Sequence, residues 1–332
     1  MLIEALGREV EALQKQGVTN PYDVIRKRSI ANLKRHTKRP VLIYAADFLT
    51  PKGQQQGIAS QVQINLRDKD YLNEIIDGMP GSAVDFFIQS PGGLAEATEN
   101  LVDLLRAKFT DIRTFVPGTA KSAATMLALS GDVIALDNLS ELGPTDPQFM
   151  VNGRFSPAGA ILKQLELAEQ TLQKEPKKFA AWLPILQTYA PSLIVECKHH
   201  IDLSRDLVGT WLKKYMFKAD AAKQATAEEI AAWLSEDANF LTHGRKVSLA
   251  ALQSKGVEVL DLRTDPPLRE LVRSLYLAIL GTFDNTGSFK LYENSENKTL
   301  SQNVVVQVIQ APVPATTKPI LPGLPGGPPL KP

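Results

Sequence analysis

Between residues 40 and 136 the apolar positions follow two rhythms that take turns along the chain. Short, nearly continuous apolar runs occur at "PVLIYAA" (40–46), "AVDFFIQ" (83–89), "IRTFV" (112–116) and "DVIAL" (132–136). Their length and their β-branched and aromatic content suit strands buried on both faces. Between them lie longer segments with one apolar face: "YLNEIIDGM" (71–79), "LAEATENLVDLLRAKF" (94–109) and "SAATMLALS" (122–130). These read as helices, and the alternation predicts βαβ units and a parallel sheet. A polar Gly/Gln stretch, "TPKGQQQGIAS" (50–60), reads as a loop.

Past residue 150 the pattern turns helical, over 157–173, 179–190, 192–217 and 226–235. A short helix and a strand follow in 248–262, another helix over 267–281 and a late strand over 303–310. The Pro/Gly-rich end, "APVPATTKPILPGLPGGPPLKP" (311–332), is expected to be extended or disordered, with a docking role for a partner as one use. The expected organisation is a helical N-terminal extension (1–38), a core (39–265) with a helical insertion at about 157–235, a C-terminal helix and strand (266–310) and the tail (311–332).

Composition narrows the function classes. The 332 residues are 44% hydrophobic and 22% charged, enough for a large core. A net charge of +1 creates no general field for nucleic acid. The basic segment "RKRSIANLKRHTKR" lacks interleaved aromatics and reads as a solvated helix face. The single cysteine, Cys197, excludes an internal disulfide framework and a multi-cysteine zinc site, and a reducing compartment is the natural reading. The N-terminal "MLIEALGREVEALQKQG" is an amphipathic helix, not a signal peptide, and no window reaches 18 uncharged apolar residues. A cytoplasmic protein with no membrane span, no metal and no cofactor is expected.

Two strand-to-helix loops carry the candidate chemistry: "QSPGGLAEA" (89–97) and "VPGTAKSAATM" (116–126). One crossover joins them, so both belong at the same edge of a parallel sheet, where ligand sites form in α/β proteins. Gly93 and Ser122, 29 residues apart, should therefore meet. Gly92 and Gly93 permit backbone conformations that turn an N–H outward. The first turn of a helix at Ser122 leaves further N–H groups free, that of Ala123 among them. Two converging N–H groups beside a hydroxyl make an oxyanion hole with a nucleophile. The competing reading is a serine that only caps its helix. The loops match neither GxGxxG nor GxxxxGK[ST].

The order S-PGG, then A-x-SA and an apolar helix, then "LGPTDPQ" (142–148) and "LTHGRKVSLAALQSKGVEV" (241–259) resembles the serine dehydrogenase proteinase family. That family falls in the Clp-protease/crotonase superfamily, with signal peptide peptidase A and the NfeD-type proteases as relatives. The resemblance covers about 40–260. It implies an α/β fold with a repeated ββα core, a parallel sheet and added helices. It also implies serine peptidase activity on peptide or protein substrates, a nucleophile at Ser122, an oxyanion hole from Gly93 and Ala123, and a homo-oligomer. The Clp protease has a histidine one strand and a turn after its serine. Here that turn is "SELGPTDPQ", without one. The peptidase relatives use a later lysine.

Lys163 is the expected base, 41 residues after Ser122, on a helix where Gly159, Ala160 and Leu167 share its face. Desolvation there would favour the neutral amine that a base requires. Lys121 adjoins the serine but would face away, into the cleft rim or solvent. His36, and the pair His199 and His200 in a charged helix, read as surface residues. His243, after Thr242, is the histidine best suited to orient something near the site. Asp146 reads as a turn residue or a supporting carboxylate. The rivals to a Ser-Lys peptidase are a non-catalytic assembly or adaptor protein and, further off, a crotonase-like acyl-CoA enzyme.

Overall fold

Six consecutive apolar residues, Val41–Ala46, form strand β1, and all six are buried. They can all be buried because the sheet is covered on both faces. Leu42 and Tyr44 enter one core, and Val41, Ile43 and Ala45 the other. The structure, a computed structural model, describes residues 2–304.

Along the chain, α1 (Leu2–Lys15) and α2 (Pro21–Thr37) precede β1. Then come α3 (Asp68–Ile76), β2 (Ala83–Gln89), α4 (Ala95–Lys108), β3 (Asp111–Val116), the two-residue β4 (Thr119–Ala120), α5 (Ala123–Leu129) and β5 (Val133–Leu136). A short β6 (Glu141–Leu142) leads to a hairpin, β7 (Gln148–Val151) and β8 (Arg154–Pro157). A helical stretch follows: α6 (Ala158–Lys174), α7 (Phe179–Leu186), α8 (Leu193–Trp211), extended by one π turn (Leu212–Met216), and α9 (Ala221–Ser235). The chain returns to the sheet through α10 (Leu249–Ser254), β9 (Val259–Asp261), α11 (Pro266–Asn285), β10 (Ser288–Asn294) and β11 (Thr299–Asn303).

The main sheet has the order β11-β10-β1-β2-β3-β5-β9. Strands β1, β2, β3, β5 and β9 are mutually parallel, as the alternating pattern predicts. Helices α2 and α11 cover one face through Ile30, Leu33, Val272 and Ile279. Helices α3, α4, α5, α8 and α9 cover the other. Phe87 and Phe115 stack across β2 and β3 with ring centres 4.9 Å apart. The α/β class and the parallel core are thus as expected.

Three elements were absent from the expectation. Strand β10 pairs antiparallel with β1 and is buried at all seven positions. Strand β11 ends at Asn303, where the late strand was expected to begin. The β7–β8 hairpin is the third. The rest of the 303–310 strand and the 311–332 tail lie outside the described residues. Among the described residues, no helix is long and apolar enough to cross a membrane.

Candidate active site

At the C-terminal edge of the parallel strands a second, very short ladder forms. Ile64 bridges Gly93, Ser90 bridges Ala120, β4 pairs with β6, and Leu142 bridges Val247. This ladder draws together the Gly-Gly loop, the start of α5, the "GPTDPQ" turn and the segment before α10. Gly92, Gly93, Ser122, Ala123 and His243 consequently line one cleft of about 720 Å³.

Ser122 stands directly before α5 with φ 51° and ψ −123°, a conformation that L residues rarely adopt. Such backbone typically costs about 1–3 kcal/mol and persists where surrounding structure enforces it. An ordinary capping serine has extended backbone and accepts a hydrogen bond from its helix. The Ser122 side chain makes no capping bond. A strained serine on a sharp turn between a strand and a helix is also found at nucleophile elbows.

The Gly-Gly loop packs directly on this turn. A Cβ at Gly92 (φ +98°) would lie 2.5 Å from the Lys121 carbonyl oxygen and 2.8 Å from Ser122 Cβ. A Cβ at Gly93 (φ +156°) would lie 2.2 Å from the Ile64 carbonyl oxygen. Only glycine permits both the backbone angles and the close approach. The loop is tied by Ile64 N–H to the Gly92 carbonyl (2.7 Å), Leu94 N–H to the Ile64 carbonyl (3.0 Å) and Gly92 N–H to Ser90 Oγ (3.2 Å). None of these bonds uses the Gly93 N–H. In α5 the Ala124 N–H donates to the Lys121 carbonyl, while Ala123 supplies the first N–H of the helix.

His243 Nδ1 lies 2.8 Å from Asp146 Oδ1. The Asp146 side chain is 2% exposed, and its other oxygen accepts from Gln148 Nε2 at 2.6 Å. A carboxylate oxygen accepts, so Nδ1 is the donor in this contact, and in the neutral imidazole that tautomer has its lone pair on Nε2.

Lys163 is found elsewhere. It lies on α6, 76% exposed, with Nζ 3.0 Å from Glu166 Oε2. It lines a different cavity, with Trp182, Ile185 and Asp237, and is not among the residues lining the Ser122 cleft. The desolvation expected for it does not occur, because its helix presents that position to solvent. Lys121 also departs from expectation. It reaches neither the cleft nor open solvent; Nζ contacts Glu141 Oε2 (3.1 Å), the Leu142 carbonyl (3.2 Å) and the Gly244 carbonyl (3.4 Å). It ties the β6 segment to the loop carrying His243. His200, read as a surface residue, lines the cleft with its ring edge-on to Phe149. Cys197 is buried in α8, and burial pushes its thiol up to about 11, so it is no thiolate at neutral pH.

The cleft wall also holds Phe149 and Phe155, one from each strand of the β7–β8 hairpin. Its sequence signal is "FMVNGRF": Asn152 and Gly153 both have positive φ, 50° and 74°. Asn-Gly between apolar runs is a strong two-residue hairpin signal.

Comparison with known proteins identifies the family of the chain. The sequence pattern of the ClpP-like SDH-type serine proteinases matches residues 20–269. Among curated proteins, Methanocaldococcus jannaschii MJ0137 is 34% identical over 111 residues, 33% of this chain and 37% of its own length. MJ1495 of the same organism is 30% identical over 131 residues, 39% of this chain and 42% of its own length. The chain thus spans about two-fifths of the length of these curated relatives. Among solved structures, a serine-to-alanine mutant of the 1510-N membrane-bound stomatin-specific protease is similar at 19% identity and TM-score 0.38, covering 62% of this chain and 78% of that one. A ClpP1 mutant from Listeria monocytogenes is similar at 14% identity and TM-score 0.33, covering 61% and 89%. With its family pattern spanning three quarters of its length, the chain belongs to the ClpP-like SDH-type serine proteinases.

Proposed function

We propose that this protein hydrolyses peptide bonds with Ser122 as nucleophile, His243 as general base, Asp146 as the group that orients the imidazole, and the Gly93 and Ala123 N–H groups as the oxyanion hole. The observation that carries the reading is the strained, uncapped Ser122 sharing a cleft with a histidine whose Nδ1 is already committed to a buried carboxylate. A nucleophile, a base and an orienting acid are the three parts that activate a serine. This assignment replaces Lys163 with His243 as the base. A lysine remote from Ser122 is also what the adaptor reading expects, so the labelling test below, and not the position of Lys163, separates the two readings.

In the reaction, Ser122 Oγ bonds to the substrate carbonyl carbon as its proton passes to His243 Nε2. The carbonyl oxygen takes up the electron pair and is held by the two N–H groups. Collapse of this intermediate breaks the C–N bond, and the amine leaves with the proton from Nε2. Water then attacks the acyl ester by the same route, freeing the acid and restoring Ser122. The walls formed by Met126, Phe149, Phe155 and Leu241 favour an apolar side chain beside the scissile bond. Assembly into a homo-oligomer is proposed through the exposed apolar residues Phe179, Leu183, Ile185 and Val195 of α7 and α8.

A fluorophosphonate probe tests the nucleophile. The expected result is a single adduct, mapped by peptide mass spectrometry to Ser122 and absent from Ser122→Ala. Equal labelling of both proteins, or of neither, would overturn the reading.

Lys121→Met is expected to loosen the His243 loop without touching substrate. Steady-state kinetics should then show kcat lower by on the order of tenfold, with KM little changed.

A further inference from the structure

Behind the Gly-Gly loop, beneath helix α3, lies a cluster that the proposed reaction does not use. Asp68 opens α3, Tyr44 comes from β1, and Lys290 and Tyr292 come from β10; all four are 0% exposed. Asp68 Oδ2 accepts from the Tyr44 hydroxyl at 2.6 Å and Oδ1 from the Tyr292 hydroxyl at 2.6 Å. Lys290 Nζ lies 2.8 and 2.9 Å from the two oxygens.

Replacing a buried ion pair by apolar residues is often neutral or stabilising, so this cluster is not explained by stability alone. Its remaining bonds run in one direction. Lys290 Nζ also donates to the Gln61 carbonyl (3.0 Å) and the Gln63 carbonyl (2.7 Å), and the Asn65 N–H donates to Asp68 Oδ2 (3.1 Å). These bonds clamp residues 61–65, an irregular segment outside the main sheet, on both sides of Ile64. Ile64 in turn bonds the Gly92 carbonyl and the Leu94 N–H, on either side of Gly93.

We propose that Asp68 and Lys290, with Tyr44 holding the Asp68 carboxylate, are positioning residues that fix the Gly93 N–H at the oxyanion site through the 61–65 segment. The inference rests on the proposed peptidase reading and deepens it. An oxyanion donor acts only when fixed near hydrogen-bonding distance of the developing charge, and losing one costs about 10²–10³ in kcat.

The test uses the full-length chain with Tyr44→Phe, Lys290→Met and the charge-neutral double variant Asp68→Asn/Lys290→Met. Ser122-dependent fluorophosphonate labelling of the unaltered protein is established first; without it the peptidase reading falls, and this inference with it. Three quantities are then measured: kcat and KM on a peptide ester, the affinity of a peptide aldehyde, and that of the matching peptide alcohol. The aldehyde forms a tetrahedral adduct that needs the oxyanion hole, and the alcohol does not.

The expected result is a kcat lower by about tenfold in Tyr44→Phe and up to about 100-fold in the lysine variants. KM should stay within about threefold, and aldehyde affinity should fall in step with kcat while alcohol affinity is unchanged. If the lysine variants fail to fold, Tyr44→Phe, which keeps the ion pair, decides alone. A folded Tyr44→Phe with unchanged kcat and aldehyde affinity would overturn the proposal. So would equal losses of aldehyde and alcohol binding, the mark of a merely loosened structure.

Discussion

Replacing His243 by alanine should lower kcat by about 10³–10⁵-fold, near the loss from Ser122→Ala, and the double variant should be hardly worse than either. The physical reason is that a serine hydroxyl is a weak nucleophile until its proton has an acceptor. His243 can be that acceptor because Asp146, buried and held by Gln148, accepts the hydrogen bond from Nδ1–H, the tautomer whose lone pair is on Nε2. Each thousandfold corresponds to about 4 kcal/mol of lost transition-state stabilisation. Lys163→Met, by contrast, should leave kcat within about twofold, because an exposed amine paired with Glu166 contributes only a surface ion pair. Steady-state assays of the four proteins read this directly. A hundredfold loss in Lys163→Met with a mild loss in His243→Ala would assign the base to the lysine after all.

The second large effect is expected at the Gly-Gly loop. Gly93→Ala places a methyl group 2.2 Å from the Ile64 carbonyl oxygen, and Gly92→Ala places one 2.8 Å from Ser122 Cβ. Neither neighbour is the end of a flexible side chain, so the loop or the serine turn must move. A shift that spoils one oxyanion donor should cost about 10²–10³ in kcat. Gly78→Ala supplies the control: Gly78 also has positive φ, but a methyl group there would meet nothing within 4 Å. That variant should lose about 1 kcal/mol of stability and keep its kcat. Thermal melts run beside the kinetics separate the two effects. Equal activity in Gly93→Ala and Gly78→Ala would remove Gly93 from the oxyanion hole.

The two halves of the site differed in how far the sequence disclosed them. Gly92, Gly93 and Ser122 follow strands whose apolar runs are unmistakable, so their meeting at one sheet edge follows from a single crossover. The proposed base was not legible in this way. His243 lies 121 residues after Ser122, beyond the α6–α9 stretch. The Leu142–Val247 bridge, the Lys121 contacts and the His243–Asp146 bond bring its loop back to the serine. A small-residue face on the Lys163 helix suggests burial, but α6 turns that lysine to solvent. The hairpin was visible in principle in its Asn-Gly turn.

Strand β10 shows why local pattern fails at a particular kind of position. "SFKLYEN" carries a lysine, a glutamate and an asparagine, and alternation rules read such residues as exposed. In the fold Lys290 pairs with Asp68, Glu293 with Arg26 of α2, and Asn294 with the Ile75 carbonyl. Each partner is distant in the chain, and burial of these polar groups is tolerable only once all are in place. The sequence by itself determined the parallel core, the helices that cover it and the placement of a glycine pair beside a serine, because periodicity and short crossovers are local. The tertiary structure alone decided that His243 rather than Lys163 shares the Ser122 cleft and that Asp68 and Lys290 are buried behind the Gly-Gly loop, because those placements depend on contacts between segments that no spacing in the chain records.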